Sequence, residues 1–193
     1  MTGRPATMVP SALDGSLVQR KSRIEALVRE HHAFVWRSVR RLGVREADLD
    51  DAVQEVFLTV SKNVDQIEPG CERGYLFRTS IFVAAHARRS VQRRREIVDD
   101  DRVGEAMDAS PTPEQSVATS EGRARLQAIL DAMPEHLRAV FVLFELERTT
   151  MAAIAEMLSV PPGTVASRLR RAREFFIEQT RAVSTAVDDG GVA

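Results

Sequence analysis

Apolar side chains recur at steps of three and four along most of this chain, and that spacing is what most restricts its fold. A repeat of this kind lines one face of an α-helix, whereas a half-buried strand would alternate every second residue. The pattern begins near Arg23 with Ile24, Leu27, Val28, His31, Phe34, Val35, Val39 and Leu42, and Gly43 stands where a helix stop is expected. Leu49, Ala52, Val53, Val56, Phe57 and Val60 predict a second helix, with Asp48, Asp50 and Asp51 in its first turn, where carboxylates favour the helix dipole. A third helix is predicted from about Glu72 to Arg95. The repeat then stops, and Pro111 and Pro113 act as breakers. It resumes at Arg123 with Leu126, Ile129, Leu130 and Met133, and continues with Leu137, Val140, Phe141, Leu143 and Phe144. Two all-α domains follow from this, residues 20–97 and 122–180, joined by a flexible acidic linker at 98–121. Residues 1–19 are expected to be a disordered extension and 181–193 a C-terminal tail.

Composition supports helices and removes several function classes. Aromatics make up only 5% of the 193 residues, and Ala, Leu, Arg and Glu are abundant helix formers. The single cysteine, Cys71, excludes an internal disulfide and points to a reducing compartment. The N-terminus has no apolar run of signal-peptide type. No segment approaches the roughly 18 apolar residues that cross a bilayer, so no membrane insertion is expected. The expectation is a soluble, cytoplasmic protein. Metal and nucleotide motifs such as CxxC, HExxH and GxxxxGK[ST] are missing, as is GxSxG, and the adjacent His31 and His32 point to different sides of a helix. No catalytic residue, metal or cofactor is expected.

The formal net charge of −1 hides a strong segregation. RRSVQRRR at 88–95 and RLRRAR at 168–173 are basic, and the stretch between them is acidic. Local basic clusters of this kind are suited to nucleic acid. The second cluster belongs to TTMAAIAEMLSVPPGTVASRLRRAR, which has helix-turn-helix spacing: a short helix that Thr149 or Thr150 can cap, a tight turn, then a helix with Val165, Leu169, Ala172 and Phe176 inward. Its outward residues include Ser167, Arg170, Arg171 and Arg173, placed to meet base edges and phosphates in a major groove. A basic hairpin with a solvated face is the alternative. In the first cluster, cations at a helix C-terminus are partly explained by the dipole. Tyr75, Phe77 and Phe82 precede it, and each is either core or a ring face for unstacked bases. On DLDDAVQEVFLTV, Asp51, Gln54 and Glu55 form a polar face that is either solvated or a docking surface.

The order of these motifs resembles the bacterial sigma-70 family of RNA polymerase factors. DLDDAVQEVFLTV and YLFRTSIFVAAHARRSVQRRR are similar to region 2 of that family, and MPEHLRAVFVLFELERTTMAAIAEMLSVPPGTVASRLRRAR is similar to region 4. Two such regions with a short connection are the layout of the extracytoplasmic-function (ECF) group. The resemblance implies a transcription initiation factor that binds core RNA polymerase and promoter DNA. It assigns Asp51, Gln54, Glu55 and Phe57 to docking on the clamp helices of the polymerase β′ subunit. It assigns Tyr75, Arg78, Arg88, Arg89, Arg93 and Arg94 to the −10 element, and Thr164, Ser167, Arg168, Arg170, Arg171 and Arg173 to the −35 element. It also implies an anti-sigma factor as a partner. Several positions depart from the family pattern: Tyr75-Leu76-Phe77 where Trp-Leu-Tyr is usual, Ile81 and Phe82 where Arg and Asn are usual, Ala153 where Glu is common, Ser159 where the turn usually has Gly, and Ala166 where a basic residue is frequent. Two other classes compete with this assignment. One is a helix-turn-helix regulator that acts without the polymerase, which needs a dimer interface. The other is a helical adaptor that binds proteins alone.

Overall fold

A computed structural model describes residues 12–98 and 114–189. Every regular element among them is helical. α1 spans Ala12–Arg41, α2 Leu49–Lys62, α3 Glu72–Val98, α4 Glu114–Ala132, α5 Glu135–Phe141, α6 Met151–Leu158 and α7 Pro162–Asp189. Short 3₁₀ turns at Glu46–Asp48 and Val64–Gln66 join the first three helices, and α5 widens into a π turn at Val142–Leu146.

The helices end where their residues require it. Gly43 closes α1 at φ 93°, in the left-handed region. A side chain there would also be obstructed: a Cβ would lie 2.6 Å from Arg138 Nη1. Thr150, rather than Thr149, caps α6 by accepting from the Ala153 N–H at 3.3 Å. Pro162 occupies the first turn of α7, where its missing N–H costs nothing.

Three expected boundaries are corrected. Residues 12–19, read as disordered, belong to α1, and residues 114–121, read as linker, belong to α4. Residues 181–189, read as tail, continue α7. In each case an apolar stripe is weak, but the segment contains no interior proline and extends a helix already nucleated by packing, which costs far less than starting one. The expected flexibility of the connection lies at residues 99–113, outside the described residues.

The buried stripes form one continuous core. Leu27, Phe34, Val35, Val39 and Leu42 of α1 meet Leu49, Val53, Val56 and Val60 of α2 and Leu76, Phe77 and Val83 of α3. Leu130, Met133, Leu137, Val140 and Leu143 meet Ile154 of α6 and Val165, Leu169 and Ala172 of α7. Phe141 stacks on Phe176 with centroids 5.1 Å apart. The two expected helical units are present, and they also touch each other, because α3 packs directly on α6 and α1 touches α4.

Candidate nucleic-acid and polymerase interfaces

The turn between α6 and α7 fixes the geometry of the helix-turn-helix. Ser159 sits just past α6 in the left-handed conformation, φ 53° and ψ 47°. Its N–H donates to Glu156 O at 3.2 Å, and the Val160 N–H donates to Ala155 O at 3.0 Å. This is the paired hydrogen-bonding of a Schellman stop. It turns the chain so that α7 starts three residues later with Val165 and Leu169 pressed against the core.

Burying that face presents the opposite one. Ser167, Arg170 and Arg171 are exposed, and Thr164 and Arg168 are half-buried. Ser167 Oγ donates to Thr164 O at 3.0 Å. Arg170 pairs with Glu174 at 2.8 Å, one turn along, in an exposed contact that a phosphate can replace. Arg168 and Arg171 make no ion pair among the described residues. Arg173 differs from the rest of its set: its guanidinium bonds Glu145 at 2.7 Å and lies over the Phe144 ring, 5.3 Å from the centroid. Its side chain is half-exposed but held within this unit by these two contacts.

The basic end of α3 divides in the same way. Arg89, Arg93 and Arg94 are exposed, and Arg94 donates to Ser90 Oγ at 3.3 Å. Arg78 and Arg88 reach across to the second unit instead. Arg78 Nη1 donates to Met157 O of α6 at 2.7 Å, and Arg88 pairs with Glu135 of α5 at 2.6 Å. Of the three aromatics, Phe77 is fully buried and Tyr75 is half-buried with the Arg78 guanidinium 6.0 Å from its ring. Phe82 is 64% exposed. One helical turn apart on α3, Phe82, His86, Arg89 and Arg93 share an exposed stripe. The sequence reading missed His86 in this stripe, although its spacing from Phe82 and Arg89 was available as a signal.

On α2, Asp51, Gln54 and Glu55 are exposed on one face, and Phe57 is half-buried against the His32 ring, 6.3 Å between centroids. Leu58 completes the face at 54% exposure. The buried stripe read from the sequence leaves Leu58 out, yet Leu58 was not added to the face of Asp51, Gln54 and Glu55, although its spacing of three and four from Glu55 and Gln54 places it there.

The contact between the units is dominated by two charged residues of the second one. Glu147, with a side chain only 5% exposed, receives three arginines from the first unit. Arg37 holds it with both nitrogens at 3.0 and 3.1 Å, Arg41 bonds it at 2.5 Å and Arg73 at 3.1 Å. Burial works to raise the pKa of this carboxyl. The Arg37 hydrogen bonds and the charges of Arg37, Arg41 and Arg73 outweigh it, so the pKa lies below the ordinary carboxylate range. Arg138, 2% exposed, donates to Asp131 O, to Met133 O and, at 2.8 Å, to Leu42 O at the end of α1. Burial pushes its guanidinium pKa down to about 10, with the neighbouring charge of Arg88 adding to the shift, so it stays charged at neutral pH. Neither residue stood out in the sequence, where each is one charge among many.

Among the described residues no helix is long and apolar enough to cross a membrane. Nor is there a cluster of His, Cys, Asp and Glu able to hold a metal ion.

Comparison with known proteins agrees with this arrangement. The sigma-70 region 2 family model matches residues 27–95, and that of sigma-70 region 4 matches residues 123–176. An ECF RNA polymerase sigma factor, SigE of Mycolicibacterium smegmatis, is 38% identical over 153 residues, 78% of this chain and 58% of that protein. The chain therefore spans less than two thirds of that relative. The ECF RNA polymerase sigma-E factor of Haemophilus influenzae is 28% identical over 182 residues, 88% of this chain and 96% of that protein. A solved structure of CnrH in complex with the cytosolic domain of CnrY has the same fold, with a TM-score of 0.60 and 22% identity, over 82% of this chain and 88% of that one. A helix-turn-helix unit with exposed arginines on its second helix, a preceding helical unit with a basic third helix, and both region matches in this order place the chain in the sigma-70 family, among the ECF sigma factors, which are non-catalytic transcription initiation factors.

Proposed function

We propose that this chain joins core RNA polymerase in the cytoplasm and directs it to a defined set of promoters. The exposed α2 face of Asp51, Gln54 and Glu55, with Phe57 at its edge, is the docking surface for the β′ clamp helices. α7 enters the −35 major groove with Thr164, Ser167, Arg168, Arg170 and Arg171. Arg89, Arg93 and Arg94 of α3 approach the −10 element with Tyr75, joined by Arg78 and Arg88 once these two are released from Met157 O and Glu135. Opening the duplex there means drawing bases out of the stack, at a cost of roughly a few kcal/mol per step, which the polymerase complex offsets with new contacts. All covalent chemistry belongs to the polymerase.

The observation that carries this reading is the pairing of a helix-turn-helix reading face on α7 with a second, separate basic helix face on α3. A stand-alone regulator has no use for the second, nor for the acidic α2 face behind it. An anti-sigma factor is the further partner in this reading, supported by the CnrH structure, in which that sigma factor is bound to the cytosolic domain of CnrY.

Gel filtration of the purified chain with bacterial core polymerase tests the proposal. Co-elution is expected, and Gln54→Ala with Glu55→Ala should weaken it. Arg170→Ala with Arg171→Ala should leave co-elution intact and abolish promoter-specific transcription. A folded chain that never co-elutes with core polymerase would refute the reading.

A further inference from the structure

We infer that the cavity between α1 and α4 is a binding site for a small free nucleotide, a flat base carrying a di- or triphosphate. The inference stands on the residues of the cavity and does not depend on the promoter reading above.

The cavity has a volume of about 310 Å³, at the lower end of the roughly 300–1,000 Å³ in which ligand sites fall. Its inner wall is apolar: Trp36, the single tryptophan, lies half-buried beside Leu126 and the fully buried Leu130. The rest of its lining is cationic, with Arg37, Arg40 and Arg41 from α1 and the exposed Arg123 from α4. Among the described residues no acidic side chain lines it. An aromatic and aliphatic wall facing several guanidinium groups matches a ligand that is flat at one end and polyanionic at the other.

The four guanidiniums meet too little negative charge. Arg37 and Arg41 share Glu147 with Arg73. Arg40 pairs with Glu46 at 3.4 Å, where the carboxylate side chain is 69% exposed, so that contact is weak. Arg123 has no ion pair among the described residues. Burial pushes the Arg41 guanidinium pKa down; Glu147 opposes this, and the charge of Arg37 adds to it. A phosphate chain relieves this crowding, and guanidinium groups hold phosphate oxygens in pairs.

Trp36 sets the other half of the ligand. The Arg40 guanidinium already lies over its ring, 5.4 Å from the centroid, so this ring face accepts a flat delocalised group. A nucleobase is a larger group of the same shape and stacks well on an aromatic ring. In taking that face it frees Arg40 for the phosphates. Gln127 supplies a polar edge: its Nε2 donates to Arg40 O at 3.0 Å and to Asp131 Oδ1 at 2.9 Å. Both amide protons are then used, and the amide oxygen is left to accept from an amino group of the base. A cavity of this volume takes one nucleotide, so the flanking units of a strand gain nothing here.

Titration of the full chain with GTP, ATP, inorganic triphosphate and guanosine tests the inference, read by Trp36 emission and by calorimetry. GTP or ATP should bind at one site per chain, quench Trp36 and raise Tm as the ligand concentration rises. Inorganic triphosphate should bind more weakly and without quenching, and guanosine more weakly still. Arg40→Ala and Arg123→Ala should each weaken nucleotide binding about tenfold, the loss of one charge-assisted contact, with helicity by circular dichroism unchanged. Arg29→Ala, which removes an exposed charge of α1 outside the cavity, should leave binding as it is. A chain that binds neither nucleotide, binding that survives both cavity substitutions, or binding equally reduced by Arg29→Ala would overturn the inference. A single-stranded oligonucleotide that displaces GTP and itself depends on Arg123 would assign the cavity to nucleic acid and overturn it as well.

Discussion

Replacing Ser159 by glycine should stabilise the helix-turn-helix, and the size of the effect follows from one backbone position. Ser159 is held at φ 53°, where an L-residue pays about 1–2 kcal/mol because its Cβ crowds the following carbonyl. Glycine removes that strain, while its greater freedom in the unfolded chain returns about 0.4–1 kcal/mol. The net gain is about 0.5–1 kcal/mol. For a chain of this size that corresponds to a rise of about 1–4 °C in Tm. Ser159 is exposed and its side chain has no hydrogen-bond partner among the described residues, so no contact is lost. The opposite substitution, Ser159→Val, places a β-branched side chain in the same strained region and should cost about 1–2 kcal/mol. Thermal unfolding of the three proteins, followed by far-ultraviolet circular dichroism, gives the order Gly above Ser above Val. A glycine variant less stable than wild type, or a valine variant equal to it, would show that the turn does not hold this conformation and that the Schellman stop is not what sets the angle between α6 and α7.

Three more outcomes are expected. Arg138→Met strips the Leu42, Asp131 and Met133 carbonyls of a buried donor and should lower stability by about 3 kcal/mol, read as a drop in the urea midpoint. The Glu147 contact between the units should fail in acid: its carboxyl pKa is depressed in the folded chain, so its contribution is complete above the ordinary carboxylate pKa and is lost as pH falls through the lower, folded-state value. Emission from Trp36, which lies beside Leu126 and Leu130 of α4, should report that loss only at pH below the ordinary carboxylate range, and Glu147→Gln should remove the dependence. Binding of the chain to a mixed-sequence duplex should have a salt slope to which Arg168, Arg170 and Arg171 together contribute about −2.7, at about 0.9 each, read as the change when all three are replaced by alanine. Arg173→Ala should leave that slope unchanged because Glu145 and Phe144 already hold its side chain. A steeper slope that Arg173→Ala reduces would contradict that assignment.

The sequence by itself determined the elements and their order. Helical periodicity is a local property, so the stripes of Leu49 to Val60 and of Val165 to Ala172 were legible without a fold, and so was the turn at Ser159. Burying one stripe also fixes what the opposite face shows, which is why Ser167, Arg170 and Arg171, or Asp51, Gln54 and Glu55, could be named in advance. Exposure of apolar residues was harder to read: Leu58 and Phe82 point to solvent, and only their polar neighbours three and four positions away on the same helix face signal it. What only the tertiary structure decided is which charges are already engaged. Arg37 and Glu147 are separated by 110 positions, and Arg78 and Met157 by 79. A pairing over such distances leaves no spacing pattern in the chain, because it depends on where two separately folded surfaces meet. Glu147 becomes distinctive only when packing removes water from around it and leaves three guanidinium groups as its neighbours.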